Sequence, residues 1–408
     1  AIFLVINTVM QNAGKQASSA KVDCDTELIN QTMEYIQGIS EVKSYNLIGK
    51  QTKRLNAANE ACVRANVKMG LVYVPYHFLQ SIVTKLTGVA IIGLSAYFYI
   101  NGSMSVLYAV GMSIAAFMLY GGLETMGTFS SLIHVVSVCV DKANAVLGLD
   151  TMDIDGKELN PENHDIEVKN IEFSYDKRKI IDGISLSIPE KTTTAIVGPS
   201  GGGKTTLCNL IARFWDVDSG EITLGGTNVK DYSMNSLMNN FSFVFQNVYL
   251  FADTIENNIK FGRPEATHEE VVEAAKKACC HDFISKLPDG YNTVIGEGGA
   301  TLSGGEKQRI SIARAIMKDS PIIILDEATA NVDPENEREL TLAVDALTKE
   351  KTIIMIAHRL KTVRHADQIV VVDRGRIAQK GTHEELMKQD GIYRRFVDSR
   401  ELAVSWKI

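Results

Sequence analysis

The sequence predicts a membrane α-helical domain followed by an α/β domain, and three observations carry that division. Two long apolar runs, Leu71–Ile100 and Ser105–Val140, are separated only by the polar turn Asn101-Gly102-Ser103 and its flanks. Beyond residue 165, near-continuous Val/Ile segments alternate with helical stretches, the pattern of a parallel sheet covered on both faces. One of these segments runs into Gly198-Pro199-Ser200-Gly201-Gly202-Gly203-Lys204-Thr205-Thr206, a glycine-rich loop that opens a helix.

The first part begins with Ala1 to Met10, an apolar stretch that reads as the end of a helix whose start is absent. Residues 21–68 are polar, with Leu28, Tyr35, Ile39 and Val42 spaced for one helix face. The run Leu71–Ile100 holds 30 residues. As a helix it measures about 45 Å, longer than the ~30 Å hydrocarbon core of a bilayer. The run Ser105–Val140 is rich in Gly, Ala and Ser, residues that let membrane helices approach closely. Lys85 and Glu124 are the only Asp, Glu, Lys or Arg in the two runs, too few for a pair of core helices in a soluble protein. Both lie towards the inner leaflet. Snorkelling of Lys85 and an interfacial place for Glu124 are preferred over a role in lining a substrate cavity.

Orientation follows from charge. Lys43, Lys50, Lys53, Arg54, Arg64 and Lys68 precede the first run, and the turn at 101–103 has no basic residue. The turn therefore faces outward, and the second domain is cytoplasmic. The expected division is a partial transmembrane domain at 1–149, with full helices at about 65–100 and 104–145. An acidic, turn-rich linker follows at 150–165, and then an α/β domain at 166–402. The formal charge of −7 belongs mostly to the second part and gives no basic face for nucleic acid. Six cysteines, Cys24, Cys62, Cys139, Cys208, Cys279 and Cys280, form no C-x-x-C pair, so zinc and thioredoxin-like chemistry have no support and reduced thiols are expected.

In the second part Ile184–Ile188 alternates as in a half-buried strand, while Thr194–Val197, Ile322–Leu325, Ile353–Ile356 and Ile369–Val372 are apolar throughout. The loop 198–206 fits G-x4-G-K-[ST] between a strand and a helix. Its glycines let backbone N–H groups wrap phosphates, and the helix N-terminus adds a favourable dipole. Lys204 is expected to reach the β/γ-phosphates and Thr205 to bind Mg²⁺. The strand Ile322–Leu325 ends in Asp326-Glu327. Asp326 suits Mg²⁺, and Glu327 suits a general base that orients an attacking water.

These motifs, together with Leu302-Ser303-Gly304-Gly305-Glu306, resemble the ATP-binding cassette (ABC) transporters of exporter type, in which membrane and ATPase parts are fused. The resemblance covers essentially the whole chain and implies a P-loop ATPase domain with a small antiparallel β subdomain and a helical subdomain. It implies that Tyr175 stacks on adenine, that Gln246 senses Mg²⁺ and the membrane domain, that Asp333 ends the loop after the catalytic glutamate, and that His358 holds the γ-phosphate. Ser303, Gly304, Gly305 and Glu306 then form the signature that grips the phosphate held by a partner subunit, so two half-transporters sandwich two ATP molecules with Mg²⁺. Catalysis falls to Glu327, His358 and Lys204.

The same resemblance implies a multi-pass protein of the cell (inner or plasma) membrane with an unknown transported substrate. The family has six helices per half, of which two and a stub are read here, and segment 46–56 matches the cytoplasmic loop that docks on an ATPase domain. Departures are Glu306 for the commoner Gln, Gly298 in GEGG for Arg, and ANVD at 330–333 for SALD. None removes a catalytic group. The stretch Ala212–Gly220 resembles a branch containing bacterial siderophore importers built on the exporter fold, which leaves import open beside export of drugs, lipids or peptides. The rival of another class, a soluble ABC ATPase, lacks the two apolar runs.

Overall fold

The computed structural model describes residues 2–47, 52–149, 151–296, 299, 301–326, 334–357 and 363–405. The chain divides into two compact units, Ala1–Thr151 and Met152–Ile408.

The first unit is helical: α1 (Ile2–Gln37), α2 (Ile39–Ser44), α3 (Thr52–Ile100) and α4 (Val106–Leu147). The apolar start of the chain is thus the first quarter of one unbroken helix. Gly14 does not interrupt α1; it makes room for α3, since a Cβ there would lie 2.1 Å from the Tyr73 hydroxyl. That hydroxyl shares a buried hydrogen bond with Ser18 Oγ at 3.1 Å. The expected stripe is only partly realised: Val42 is buried and Ile39 exposed, because the helix breaks at Gly38 and α2 starts in a new phase.

The helix expected from about residue 65 begins at Thr52, and its 49 residues reach ~74 Å. Thr52–Lys68 contains Ala, Arg, Lys and Leu without Gly or Pro, so nothing stops the helix before the apolar run. By length and composition α3 can cross a membrane. Leu71, Val74, Phe78, Leu86 and Val89 along α3, and Leu107, Val110, Phe117 and Met118 on α4, are exposed. Lys142 of α4 donates to Asp23 of α1 at 2.9 Å, an ion pair beyond the apolar runs. Lys85 lies on an exposed side of α3; the side chain of Glu124 is outside the described residues.

The second unit holds two sheets. Strands β1 (Ile166–Tyr175), β2 (Arg178–Ile188), β4 (Ser219–Leu224) and β5 (Thr227–Asn228) form an antiparallel sheet in the order β2-β1-β4-β5. Strands β3 (Thr193–Val197), β6 (Phe241–Val244), β7 (Ile322–Asp326), β8 (Thr352–Ile356), β9 (Gln368–Asp373) and β10 (Arg376–Gly381) form the central sheet in the order β10-β9-β3-β8-β7-β6. All its pairings are parallel except β9–β10.

Alternation along the central strands separates two cores. Ala195, Val197, Ile323, Leu325, Met355 and Val371 face one of them. It is covered by α7 (Ile255–Lys260), α8 (His268–Lys277), α10 (Gly304–Lys318) and α11 (Pro334–Thr348), with α9 (His281–Ile284), α12 (His383–Met387) and α13 (Ile392–Ser405) alongside. Ile196, Ile322, Ile324, Ile356 and Val372 face the other, covered by α5 (Lys204–Ile211), α6 (Met234–Asn239) and the antiparallel sheet. Both faces of the parallel strands are buried, which is why their sequences are apolar throughout.

The segment read as a linker is integrated into this unit. Lys157 N–H donates to Asp231 O at 2.8 Å, Ser233 N–H to Lys157 O at 2.7 Å, and a Cβ on Gly156 would lie 2.1 Å from Tyr232 O. The acidic, turn-rich composition looks like a tether in sequence, but the backbone at Ile154, Lys157 and Asp165 is paired with the domain.

Candidate functional site

The site is built where β3 gives way to α5. Gly198 leaves the strand with φ +143° and its Cα faces the carbonyl of Val372, only 2.0 Å from where a Cβ would stand. Gly203 caps α5 in the left-handed region at φ +104°. The β9–β10 hairpin supports the loop from below, with Gly375 N–H donating to Gly202 O at 3.0 Å. The Lys204 side chain is 8% exposed and its ammonium folds back to donate to Gly198 O at 3.1 Å and Pro199 O at 3.0 Å. Ser200, Gly201 and Thr205 are exposed along the loop, with Thr206 half-buried behind them.

Sheet register brings the acid to this loop. Asp326 of β7 and Ile196 of β3 both pair with Ile356 of β8, so Asp326 stands level with the end of β3. Thr205 Oγ1 donates to Asp326 Oδ2 at 3.4 Å. A hydroxyl and a carboxylate oxygen side by side form a hard-oxygen donor set of the kind Mg²⁺ takes. Cys208, one turn along α5, adds no ligand: burial, helped by the Asp326 charge, pushes its thiol far above the ordinary range.

Tyr175 ends β1 and is 38% exposed. Its ring meets Phe173 edge-on at 4.9 Å and Trp215 edge-on at 5.7 Å. Gln246 lies exposed just past β6. The preceding carbonyl, Phe245 O, accepts from Gln308 Nε2 of α10 at 3.3 Å, and Arg314 of α10 donates to Tyr249 O at 2.7 Å. α10 is therefore bonded to the backbone on both sides of Gln246.

Ser303 caps α10. Its N–H donates to Glu306 Oε2 at 2.8 Å and its Oγ accepts from Glu306 N–H at 3.4 Å, a capping box, while its hydroxyl also donates to Glu306 Oε2 at 2.8 Å. Ser303 and Gly304 are exposed, Gly305 is buried and Glu306 half-buried. The α5 loop and α10 cover opposite faces of the central sheet, so the loop 198–206 and the Ser303 end of α10 are not neighbours across one core.

The expected Glu327, Asp333 and His358 lie outside the described residues, as do Glu297, Gly298 and the rest of 330–333. Among the described residues the cradle, Asp326 and Thr205 are brought together. Tyr175 stands on β1 of the antiparallel sheet, and the signature helix packs on the other core. Sequence reasoning missed two residues. Trp215 meets Tyr175 from forty residues away, and Arg213, inside the stretch that resembled siderophore importers, is 2% exposed and clamps the fold. Arg213 donates to Asp216 Oδ1 at 3.0 Å, to Tyr232 O at 3.2 Å and to Asp153 O at 2.7 Å. Only the i,i+3 spacing to Asp216 is visible in sequence.

Residues 181–330 match the family model described as ABC transporter. The ATP-dependent lipid A-core flippase of Desulfotalea psychrophila is 40% identical over 370 residues, which cover 90% of this chain and 65% of that protein. A Staphylococcus aureus protein, provisionally named a multidrug export ATP-binding/permease protein, is 40% identical over 380 residues, again 90% of this chain and 65% of its own. The chain thus spans a little under two thirds of these relatives' length. A solved bacterial Atm1-family ABC exporter with ATP bound superposes with a TM-score of 0.90 at 29% identity, covering 98% of this chain and 70% of that one.

Proposed function

We propose, for a chain whose second unit carries the ATPase domain of the ABC transporter family, that two such domains hydrolyse ATP between them and drive a substrate across a membrane. The observation that carries the dimeric reading is the placement of α5 and α10 on opposite faces of one sheet. A γ-phosphate held by Lys204 then needs the Ser303 end of a second copy, or of a related half-transporter, to complete its shell.

In this reading the N–H groups from Gly198 to Thr206 cradle the phosphates. Lys204 exchanges the carbonyls of Gly198 and Pro199 for phosphate oxygens. Tyr175 stacks on the base. Thr205 and Asp326 would hold Mg²⁺, with Gln246 completing the contact, and the cation when bound neutralises charge developing on the transferred phosphoryl group. Glu327 orients the water and His358 steadies the γ-phosphate. Gly304 and Gly305 present N–H groups, Ser303 its hydroxyl, and α10 its helix dipole to the phosphate across the interface.

The apolar α3 and the apolar first part of α4 support a multi-pass place in the cell membrane, with the 101–103 turn outside and the ATPase inside. The relatives' names, a flippase and exporters, favour outward movement over siderophore uptake. Arg213 favours it too, since its part of the importer-like stretch is explained by a structural clamp rather than by cargo.

The test is ATPase rate against concentration for the detergent-solubilised protein, with Glu327→Gln as blank. A rate per molecule that rises with concentration and vanishes in the variant is expected. A folded protein that binds ATP but stays inactive at every concentration overturns the self-sufficient dimer and calls for a different partner half. Flipping of a labelled lipid in proteoliposomes, against accumulation of a labelled iron chelate, decides direction.

A further inference from the structure

We infer that Trp215 is the second wall of the base site, and that Tyr175 and Trp215 together hold the planar ring of a nucleoside triphosphate in an aromatic corner. This rests on the reading of the site as one for ATP. The two rings meet at 89° with centroids 5.7 Å apart, and Phe173, buried beneath, meets Tyr175 at 88° and tilts against Trp215 at 47°. Trp215 is 51% exposed, so half of a large apolar ring is left open next to a phenol that is itself part-exposed. A flat heterocycle stacked on one ring of such a corner brings its edge against the other, the two arrangements aromatic rings prefer.

The corner is rigidly built. Arg213, held at φ +56°, and its partner Asp216 anchor the chain on both sides of Trp215. Phe214 N–H donates to Asn209 O at 2.8 Å, and Asp218 N–H to Glu172 O at 2.9 Å, tying the turn back to α5 and onto β1 three residues before Tyr175. A ring fixed in this way loses little freedom when a ligand packs on it. Through its ring faces the corner reads the shape of a flat heterocycle, so ATP and GTP are expected to stack on it alike.

The experiment is calorimetric titration of the whole solubilised chain, comparing ATP with inorganic tripolyphosphate, which carries the phosphates without the base. Trp215→Ala and Trp215→Leu are each expected to weaken ATP binding by about 2- to 12-fold, the range for one aromatic contact, and to leave tripolyphosphate binding unchanged. Tyr175→Ala behaves in the same way. Retained tripolyphosphate binding also shows that the cradle is folded. Unchanged ATP affinity in both Trp215 variants overturns the proposal, and so does an equal loss for both ligands, which places Trp215's effect on the loop rather than the base. Failure of the wild-type chain to bind ATP at all instead overturns the nucleotide reading itself.

Discussion

Ser303 and Glu306 close on each other at the start of α10: the serine's hydroxyl and N–H both donate to one carboxylate oxygen, and the Glu306 N–H returns a bond of 3.4 Å to Ser303 Oγ. The hydroxyl proposed to meet a partner's γ-phosphate is therefore committed to a negative charge that repels that phosphate. A glutamine could accept the same two bonds without the charge. Glu306→Gln is expected to lower the ATP concentration for half-maximal hydrolysis by about 2- to 5-fold, the scale of one charge at a helix terminus. The gain shrinks at high salt, as a screened interaction must. An ATP dependence identical to wild type at low ionic strength would show that Glu306 swings clear before the phosphate arrives.

The loop 198–206, proposed to cradle phosphate, is specified by backbone clearance as much as by Lys204. A methyl group on Gly198 would stand 2.0 Å from Val372 O, and the local φ of +143° is one that other residues avoid. Gly198→Ala is expected to displace the loop from β9 at a cost of about 1–3 kcal/mol and to abolish ATP binding. Lys204→Ala, by contrast, removes a side chain from loop carbonyls and should leave the melting temperature nearly unchanged while abolishing nucleotide binding. Differential scanning fluorimetry alongside ATP titration separates the two.

Much of this architecture was legible in the sequence because each feature is local. The apolar strands β3, β7, β8 and β9 announce a sheet buried on both faces, and the loop 198–206 carries its chemistry in consecutive residues. Asp326 could be placed near that loop because it ends a strand of the same sheet. What remained hidden depends on pairs distant in sequence. Trp215 on Tyr175, Gln308 on Phe245 and Arg213 on Asp153 are set by packing, which periodicity does not encode. Helix starts were misjudged for a related reason: Thr52–Lys68 is polar, yet its helix propensity lets α3 run through the change in polarity.

The helices on the α10 side of the central sheet carry an acid-sensitive joint. Glu256 of α7 is mostly buried, which by itself raises its pKa, but Lys260 at 2.7 Å and His268 at 2.7 Å outweigh burial and hold it below its ordinary value of 4.5. A carboxylate depressed in the folded state stabilises the fold fully above its unfolded pKa. That contribution is lost as the pH falls through the lower folded value. Glu256→Gln should therefore flatten the decline in melting temperature below about pH 4.5 and reduce stability at pH 7. A variant whose acid limb overlays wild type would show that other carboxylates govern it.

Arg213 joins three segments that sequence separates: the turn after α5, the stretch Val229–Tyr232, and Asp153 at the entry to the domain. Its guanidinium is buried with Asp216 as counter-ion, and its bonds go largely to carbonyls that a shorter or apolar side chain would leave unpaired. Arg213→Met keeps the apolar stem but strips every one of these bonds. Leaving buried carbonyls without their donor costs about 1–3 kcal/mol, so the variant should melt several degrees lower and expose the 153–157 segment to protease first. Arg213→Lys, able to reach one or two of the carbonyls but not all, should fall between. If both variants melt with wild type, the clamp contributes geometry without stability, and Trp215, which it flanks, should still sit on Tyr175.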